Sequence, residues 1–275
     1  MKPNMNRTDT YLQFLGTSDS IPDLEHGNTH MLLNSEFHKI LIDCPGDVIQ
    51  RMLMLKIPMD HITELILTHF HPDHAGGVSL LLMNMWLNKR TKPLTIIANE
   101  HTLTALKQLM DASGWKDWPN FYPVHLITIP EDIDIHTPIF ETENVRITST
   151  PVKHFLPTNA LRFDFLKTHN SIAYSSDTEP CQNFIDLAKG ADIVIHEATG
   201  SGTGHSTSVE AAHVANQVNA KELYLVHYGA RGKALRKILL DAQAVFHGPV
   251  YLAEDFMEIE ITRKHIGTKL LRMPG

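Results

Sequence analysis

Leu65-Ile66-Leu67-Thr68-His69-Phe70-His71-Pro72-Asp73-His74-Ala75-Gly76-Gly77 is the stretch that decides how the rest of the chain is read. Its opening residues are apolar or β-branched and predict a buried strand, which runs straight into three histidines and an aspartate. Imidazole and carboxylate together suit Zn, Mn or Fe, and neutral imidazole is the commonest metal ligand. In an extended segment His69 and His71 point to one side, so a single ion can be gripped by both. Asp73 and His74 fall where the chain turns and can face a second ion. Gly76-Gly77 lets the backbone turn tightly before the apolar run from Val78 to Met85 opens a helix. The chain holds 18 histidines in 275 residues, so one stray histidine in a loop carries no weight. The spaced cluster His69-x-His71-x-Asp73-His74 behind an apolar strand does.

That cluster resembles the signature of the metallo-β-lactamase superfamily of metal-dependent hydrolases. The resemblance implies an α/β fold, a four-layer αβ/βα sandwich with two metals at one edge of the packed sheets. Four further words resemble the ribonuclease Z branch: Phe14-Leu15-Gly16-Thr17, Leu41-Ile42-Asp43-Cys44, Ile195-His196-Glu197-Ala198-Thr199 and Gly204-His205-Ser206-Thr207. By resemblance His205 is the proton donor and Glu197 supports it.

Composition limits what else the chain can be. Hydrophobic residues make up 43% and charged residues 20%, ample for a core and too little charge for a disordered chain. No apolar run approaches the ~20 residues of a membrane helix, and Met1 to Thr10 lacks the apolar core of a signal peptide. Two cysteines, Cys44 and Cys181, build no disulfide framework, so the expected setting is cytoplasmic, with Cys44 a small buried residue. A formal charge of -7 argues against a general nucleic-acid surface. No repeat or linker divides the chain, which reads as one domain over 1–275 with residues 1–10 flexible.

Along the chain, Tyr11–Leu15, Met31–Leu33, Lys39–Asp43 and Leu94–Ala98 predict strands, and Val48, Met52 and Leu55 a helix. Leu103, Leu106 and Met110 mark another helix, closed at Gly114. Trp115 to Tyr122 reads as an aromatic loop packed on its own domain. Short strands with turns at Pro130 and Pro138 are expected from Val124 to Thr150. Thr207 and Glu210 form a capping box, with Ala211, Val214, Ala215 and Val218 as the buried stripe behind it.

The remaining ligands also follow strands. His154 comes after the strand Arg146–Val152; alone it would be ordinary, but it stands where the superfamily has its third histidine. Ser171-Ile172-Ala173-Tyr174-Ser175-Ser176-Asp177-Thr178 runs from a strand to a carboxylate. A two-metal site needs an anionic oxygen touching both ions, and Asp177 resembles that bridge. Leu223-Tyr224-Leu225-Val226-His227 delivers a histidine as Leu65 to His69 does. The resemblance thus implies His69, His71 and His154 on one divalent metal, Asp73, His74 and His227 on the other, and Asp177 between them. The other histidines read as structural or surface residues, His30 being the one to watch.

Such a site hydrolyses esters: two divalent ions, Zn or else Mn or Fe, lower the pKa of a shared water toward ~7, and Asp73 orients it. The expected reaction is phosphodiester hydrolysis. Bacterial tRNA-maturing relatives carry a long basic arm between the third histidine and the bridging aspartate. Here residues 155–176 hold only Arg162 and Lys167 as basic side chains, apart from His169. A small or nucleotide-like ester is therefore the first expectation and tRNA 3′-end cleavage the second, with no membrane partner and, by resemblance, a homodimer. Arylsulfatase or lactonase chemistry and a non-catalytic metal-bearing binding protein are the remaining alternatives. The last would not need both Asp73 and His205.

Overall fold

The computed structural model describes residues 10–130, 136–229, 231–262 and 266–270. The flexible segment expected at residues 1–10 lies outside them, except for Thr10, which opens a strand.

Strands β1 (Thr10–Gly16), β2 (His30–Ser35), β3 (His38–Ile42), β4 (Glu64–Ile66), β5 (Leu94–Asn99) and β6 (Val124–Ile129) come first. β7 (Thr137–Glu141), β8 (Val145–Val152), β9 (Thr158–Phe165), β10 (Asn170–Tyr174), β11 (Ile193–Ala198), β12 (Glu222–Tyr228) and β13 (Val250–Leu252) build a second sheet. β14 (Met257–Ile261) and β15 (Ile266–Leu270) return to the first. The sheets run β15-β14-β1-β2-β3-β4-β5-β6 and β13-β12-β11-β10-β9-β8-β7.

Apolar residues on both faces of the strands explain the stacking. Met31, Leu33, Ile40, Ile42, Ile66 and Ile97 face inward and meet Leu161, Phe163, Ile172, Tyr174, Ile195 and Val226 of the other sheet. Their neighbours Leu32, Leu41, Leu65 and Ile96 point outward and are apolar too. A sheet with two apolar faces must be covered twice. Helices α1 (Val48–Met54), α2 (Pro72–Ala75), α3 (Val78–Leu87) and α4 (Glu100–Ala112) cover the first sheet. α5 (Gln182–Ala188), α6 (Ser208–Gln217) and α7 (Lys233–Gln243) cover the second. The expected αβ/βα sandwich results.

β3 to β6 are parallel to one another, as are β10 to β13. Parallel strands end together, and the edge where they end is where α/β folds place their sites.

Several local expectations need correction. Pro138 does not turn the chain; it lies inside β7, the edge strand, beside a register shift at residues 138–140. An edge strand tolerates the missing N–H. Asp43 ends no strand, because β3 stops at Ile42 and Asp43 takes φ 62°. α1 stops at Met54, with Leu55 as its cap. Gly77 has φ -88°, so no unusual backbone conformation explains it; a Cβ there would collide with the Pro45 carbonyl. Asp73 and His74 lie in the short helix α2 rather than an open turn.

Other expectations hold. Gly114 is left-handed at φ 67° just beyond α4. The capping box of Thr207 and Glu210 is present. Trp118 stacks on Trp86 at 4.9 Å within the outer core of the first sheet. Cys44 is buried, which pushes its thiol pKa well up. Among the described residues, no helix is long and apolar enough to cross a membrane.

Candidate metal centre

β4 leads the chain to His69, and His71, two residues on and in extended backbone, lies alongside, with His69 Nε2 3.0 Å from His71 Nδ1. His154, delivered by β8 of the other sheet, places Nε2 3.1 Å from the same nitrogen. α2 presents His74, whose Nε2 is 3.2 Å from Nε2 of His227 near the end of β12. Asp73 Oδ2 lies 3.4 Å from His227 Nε2. The buried Asp177 stands between the two groups. Its Oδ2 is 3.9 Å from Nε2 of both His69 and His154 and 3.4 Å from Nε2 of His227. Its Oδ1 is 3.5 Å from His74 Nε2. Potential ligand atoms thus gather as His69, His71, His154 and Asp177, and as Asp73, His74 and His227, each set within 4.8 Å. A third set joins Asp177, His205 and His227.

The outer nitrogens test whether a metal fits. His154 Nδ1 donates to the Gly204 carbonyl at 2.7 Å and His74 Nδ1 to Asp43 Oδ2 at 2.8 Å. Thr199 spends its hydroxyl proton on the His227 carbonyl, so its oxygen accepts from His227 Nδ1 at 2.8 Å. Thr68 does the same between Asp43 and His69 Nδ1, 3.1 Å away. With these four Nδ1 atoms donating, each ring that is neutral turns a bare Nε2 lone pair into the site, where His71 points its Nδ1. Such lone pairs repel unless a proton or a metal cation lies among them. Asp177 Oδ1, also buried, has no hydrogen-bond partner among the described residues. Both observations fit divalent cations.

The electrostatics agree. Burial alone would raise the Asp177 pKa, but the charges of His227 and His74 pull it well below the usual carboxylate range. Burial, reinforced by the charge of His74, holds His69 well below the ordinary imidazole value. For His74 burial works downward, yet Asp177 and Asp43 raise its pKa well above the ordinary value. A proton there competes with a cation, so metal affinity should weaken in acid.

Beside this centre, His205 Nδ1 donates to Glu197 Oε1 at 2.9 Å. Glu197 is fully buried; Oε1 also accepts from Thr178 N at 2.9 Å and Oε2 from Thr199 N at 3.0 Å. Burial lowers the His205 pKa, but the hydrogen bond and charge of Glu197 outweigh it, with a net rise. The sequence-predicted site residues therefore all converge on one edge of the sandwich. His30 stays apart, buried with Nδ1 on the Asn28 carbonyl at 2.8 Å.

Asp43, Thr199 and Gly204 were not among the expected site residues. Asp43 is the most consequential, because its carboxylate accepts from Thr68 N at 2.8 Å as well as from His74. The available signal was an aspartate directly after the apolar run Ile40-Leu41-Ile42, whose strand β3 pairs with β4, the strand that precedes His69.

The profile of the Anti-Pycsar protein Apyc1 family matches residues 10–246. A ribonuclease Z of Methanothermobacter thermautotrophicus is 28% identical over 90% of this chain and 95% of its own length. One of Bacillus licheniformis is 28% identical over 92% and 99%. Among solved structures, the metallo-β-lactamase fold protein YhfI of Bacillus subtilis superposes with a TM-score of 0.77 at 21% identity, covering 92% of this chain and 99% of its own. The short form of human tRNase Z (ELAC1) gives 0.74 at 25% identity, with the same coverage. The chain is a ribonuclease Z-like hydrolase of the metallo-β-lactamase superfamily and belongs to the Anti-Pycsar protein Apyc1 family.

Proposed function

We propose that this chain hydrolyses a small or nucleotide-like phosphodiester, cyclic diesters included, at a two-metal centre. His69, His71 and His154 would hold one ion, Asp73, His74 and His227 the other, and Asp177 would bridge them. When bound, two divalent ions lower the pKa of a shared water toward ~7 and neutralise charge on the attacked phosphate; the donor set serves Zn, Mn and Fe alike.

The chain supplies the proton handling. Burial raises the Asp73 pKa, but without metal the hydrogen bond to His227 and the charge of His74 outweigh that; a bound divalent ion would favour the carboxylate in their place. Asp73 Oδ2 can therefore orient the attacking water and take its proton. His205 commits Nδ1 to Glu197, which leaves Nε2 to carry a proton to the leaving oxygen. General-acid help of this kind contributes about 10²–10⁴-fold.

The small-diester reading is carried by the connection between His154 and Asp177. It is the hairpin of β9 and β10. Both of its Arg and Lys side chains are engaged within the fold. Arg162 Nε donates to Asp164 Oδ1 at 2.9 Å, and its Nη1 to the carbonyls of Leu187 and Lys189 at 2.9 and 3.0 Å. Lys167 Nζ holds Glu36 Oε1 at 2.6 Å. With a chain charge of -7, this connection does not supply the phosphate neutralisation that drives RNA affinity.

Cleavage at the 3′ end of tRNA is the second reading, favoured by the relatives called Ribonuclease Z. The alignment with the Methanothermobacter protein spans 307 positions, more than the 275 residues here, so that relative has residues without a counterpart. Specificity constants for a nucleoside cyclic phosphate and a precursor tRNA, measured at one salt concentration, separate the two. The cyclic diester should be preferred. Efficient, accurate 3′ cleavage of the tRNA would overturn the proposal.

A further inference from the structure

Phe155 follows His154 directly and leaves 62% of its surface in solvent. An exposed phenylalanine needs no explanation by itself. Phe37, the other strongly exposed phenylalanine among the described residues, sits in the turn between β2 and β3, far along the strands from their catalytic ends. Phe155 instead borders the proton donor. Its ring centroid is 5.2 Å from that of His154 and 6.3 Å from that of His205, tilted at 68° and 66°. Gly204, at φ 78°, backs one edge of it: a Cβ on that glycine would sit 3.0 Å from Phe155 Cδ2 and Cε2. The Gly204 loop is itself tied down, its carbonyl by His154 and its N–H by Glu179 Oε1 at 2.8 Å. The ring is thus held along one edge while much of its surface faces the solvent beside the site.

We propose that Phe155 is the platform on which the base of a nucleotide substrate stacks, so that the site selects base-bearing diesters over base-free ones; this rests on the diester reading above. Any base offers a π face, so such a platform would be tolerant of base identity. The contact lies away from the reacting atoms and binds ground state and transition state alike, which places its effect on KM.

The test uses the metal-loaded enzyme with a nucleoside 3′,5′-cyclic phosphate and with the same cyclic phosphate of methyl ribofuranoside, which has no base. Phe155→Ala should raise KM for the nucleotide by about tenfold or more, the loss typical of one stacked base, and leave kcat close to wild type. KM for the base-free diester should not move. Phe155→Trp should restore the nucleotide KM, and Phe155→Leu, which keeps the apolar bulk, should not. Equal losses on both substrates, or full rescue by leucine, would make Phe155 a packing support for His154 and Gly204 and overturn the platform. An unchanged nucleotide KM in Phe155→Ala would overturn it too, while leaving the diesterase reading intact. A wild type inert toward both diesters would remove that reading and the platform with it.

Discussion

Asp43, Ser176 and His227 adopt left-handed backbone at φ 62°, 52° and 47°, each just beyond or near the end of a strand feeding the site. Non-glycine residues held there cost of order 1–3 kcal/mol apiece and persist only where the surroundings fix them. At Asp43 the compensation is visible in three hydrogen bonds, from Thr68 N, Thr68 Oγ1 and His74 Nδ1. Asp43→Asn keeps the shape but removes the charge that orients His74. Metal affinity should fall about 10–100-fold, read by chelator competition, with the fold retained by circular dichroism; unchanged affinity would reduce Asp43 to a structural residue. The donor pair gives a second expectation. His205→Ala should keep its metal and slow turnover by about 10²–10⁴-fold, and the loss should shrink for good leaving groups such as nitrophenolate. Equal slowing on good and poor leaving groups would show that His205 is not the acid. Glu197 raises the His205 pKa, so the protonated donor persists below that value and is lost as pH rises through it. Glu197→Gln should therefore move the alkaline fall of the rate to lower pH; an unmoved limb would separate the pair.

The elements explain why some of the site could be read from sequence and some could not. His69, His71, Asp73 and His74 are neighbours in the chain, so one strand and one turn suffice to show them as a cluster. His227 was legible because β12 repeats the apolar run that precedes His69. Asp43 and His74 meet across 31 residues and Thr199 and His227 across 28, distances at which only the packed sheets bring partners together. Pro138 misled for a related reason: proline marks a turn unless the strand is an edge, and strand order is a property of the sheet. The capping box was readable from Thr207 and Glu210 alone and is formed as expected. Thr207→Ala should cost about 1 kcal/mol, seen as a lower urea midpoint at unchanged slope. A loss of metal without a shift in that midpoint would mean that Thr207 serves the centre rather than the helix.

On the scale of the molecule, both halves of the chain contribute candidate ligands, and neither half holds a complete set. The first sheet brings His69, His71, Asp73 and His74; the second brings His154, Asp177 and His227. The fold class was legible because its apolar strands and its ligand cluster recur in chain order. Substrate preference was less so, since it rests on what the β9–β10 hairpin lacks and on side chains that turn out to be engaged elsewhere. Joining the halves falls to Asp177, which faces both groups of histidines. Metal analysis of the wild type and of Asp177→Ala, each assayed for diester hydrolysis, bears on this most directly. Wild type should carry close to two divalent transition-metal ions per chain, and the variant should bind fewer and lose hydrolysis. Full occupancy with full activity in Asp177→Ala would contradict the two-metal centre.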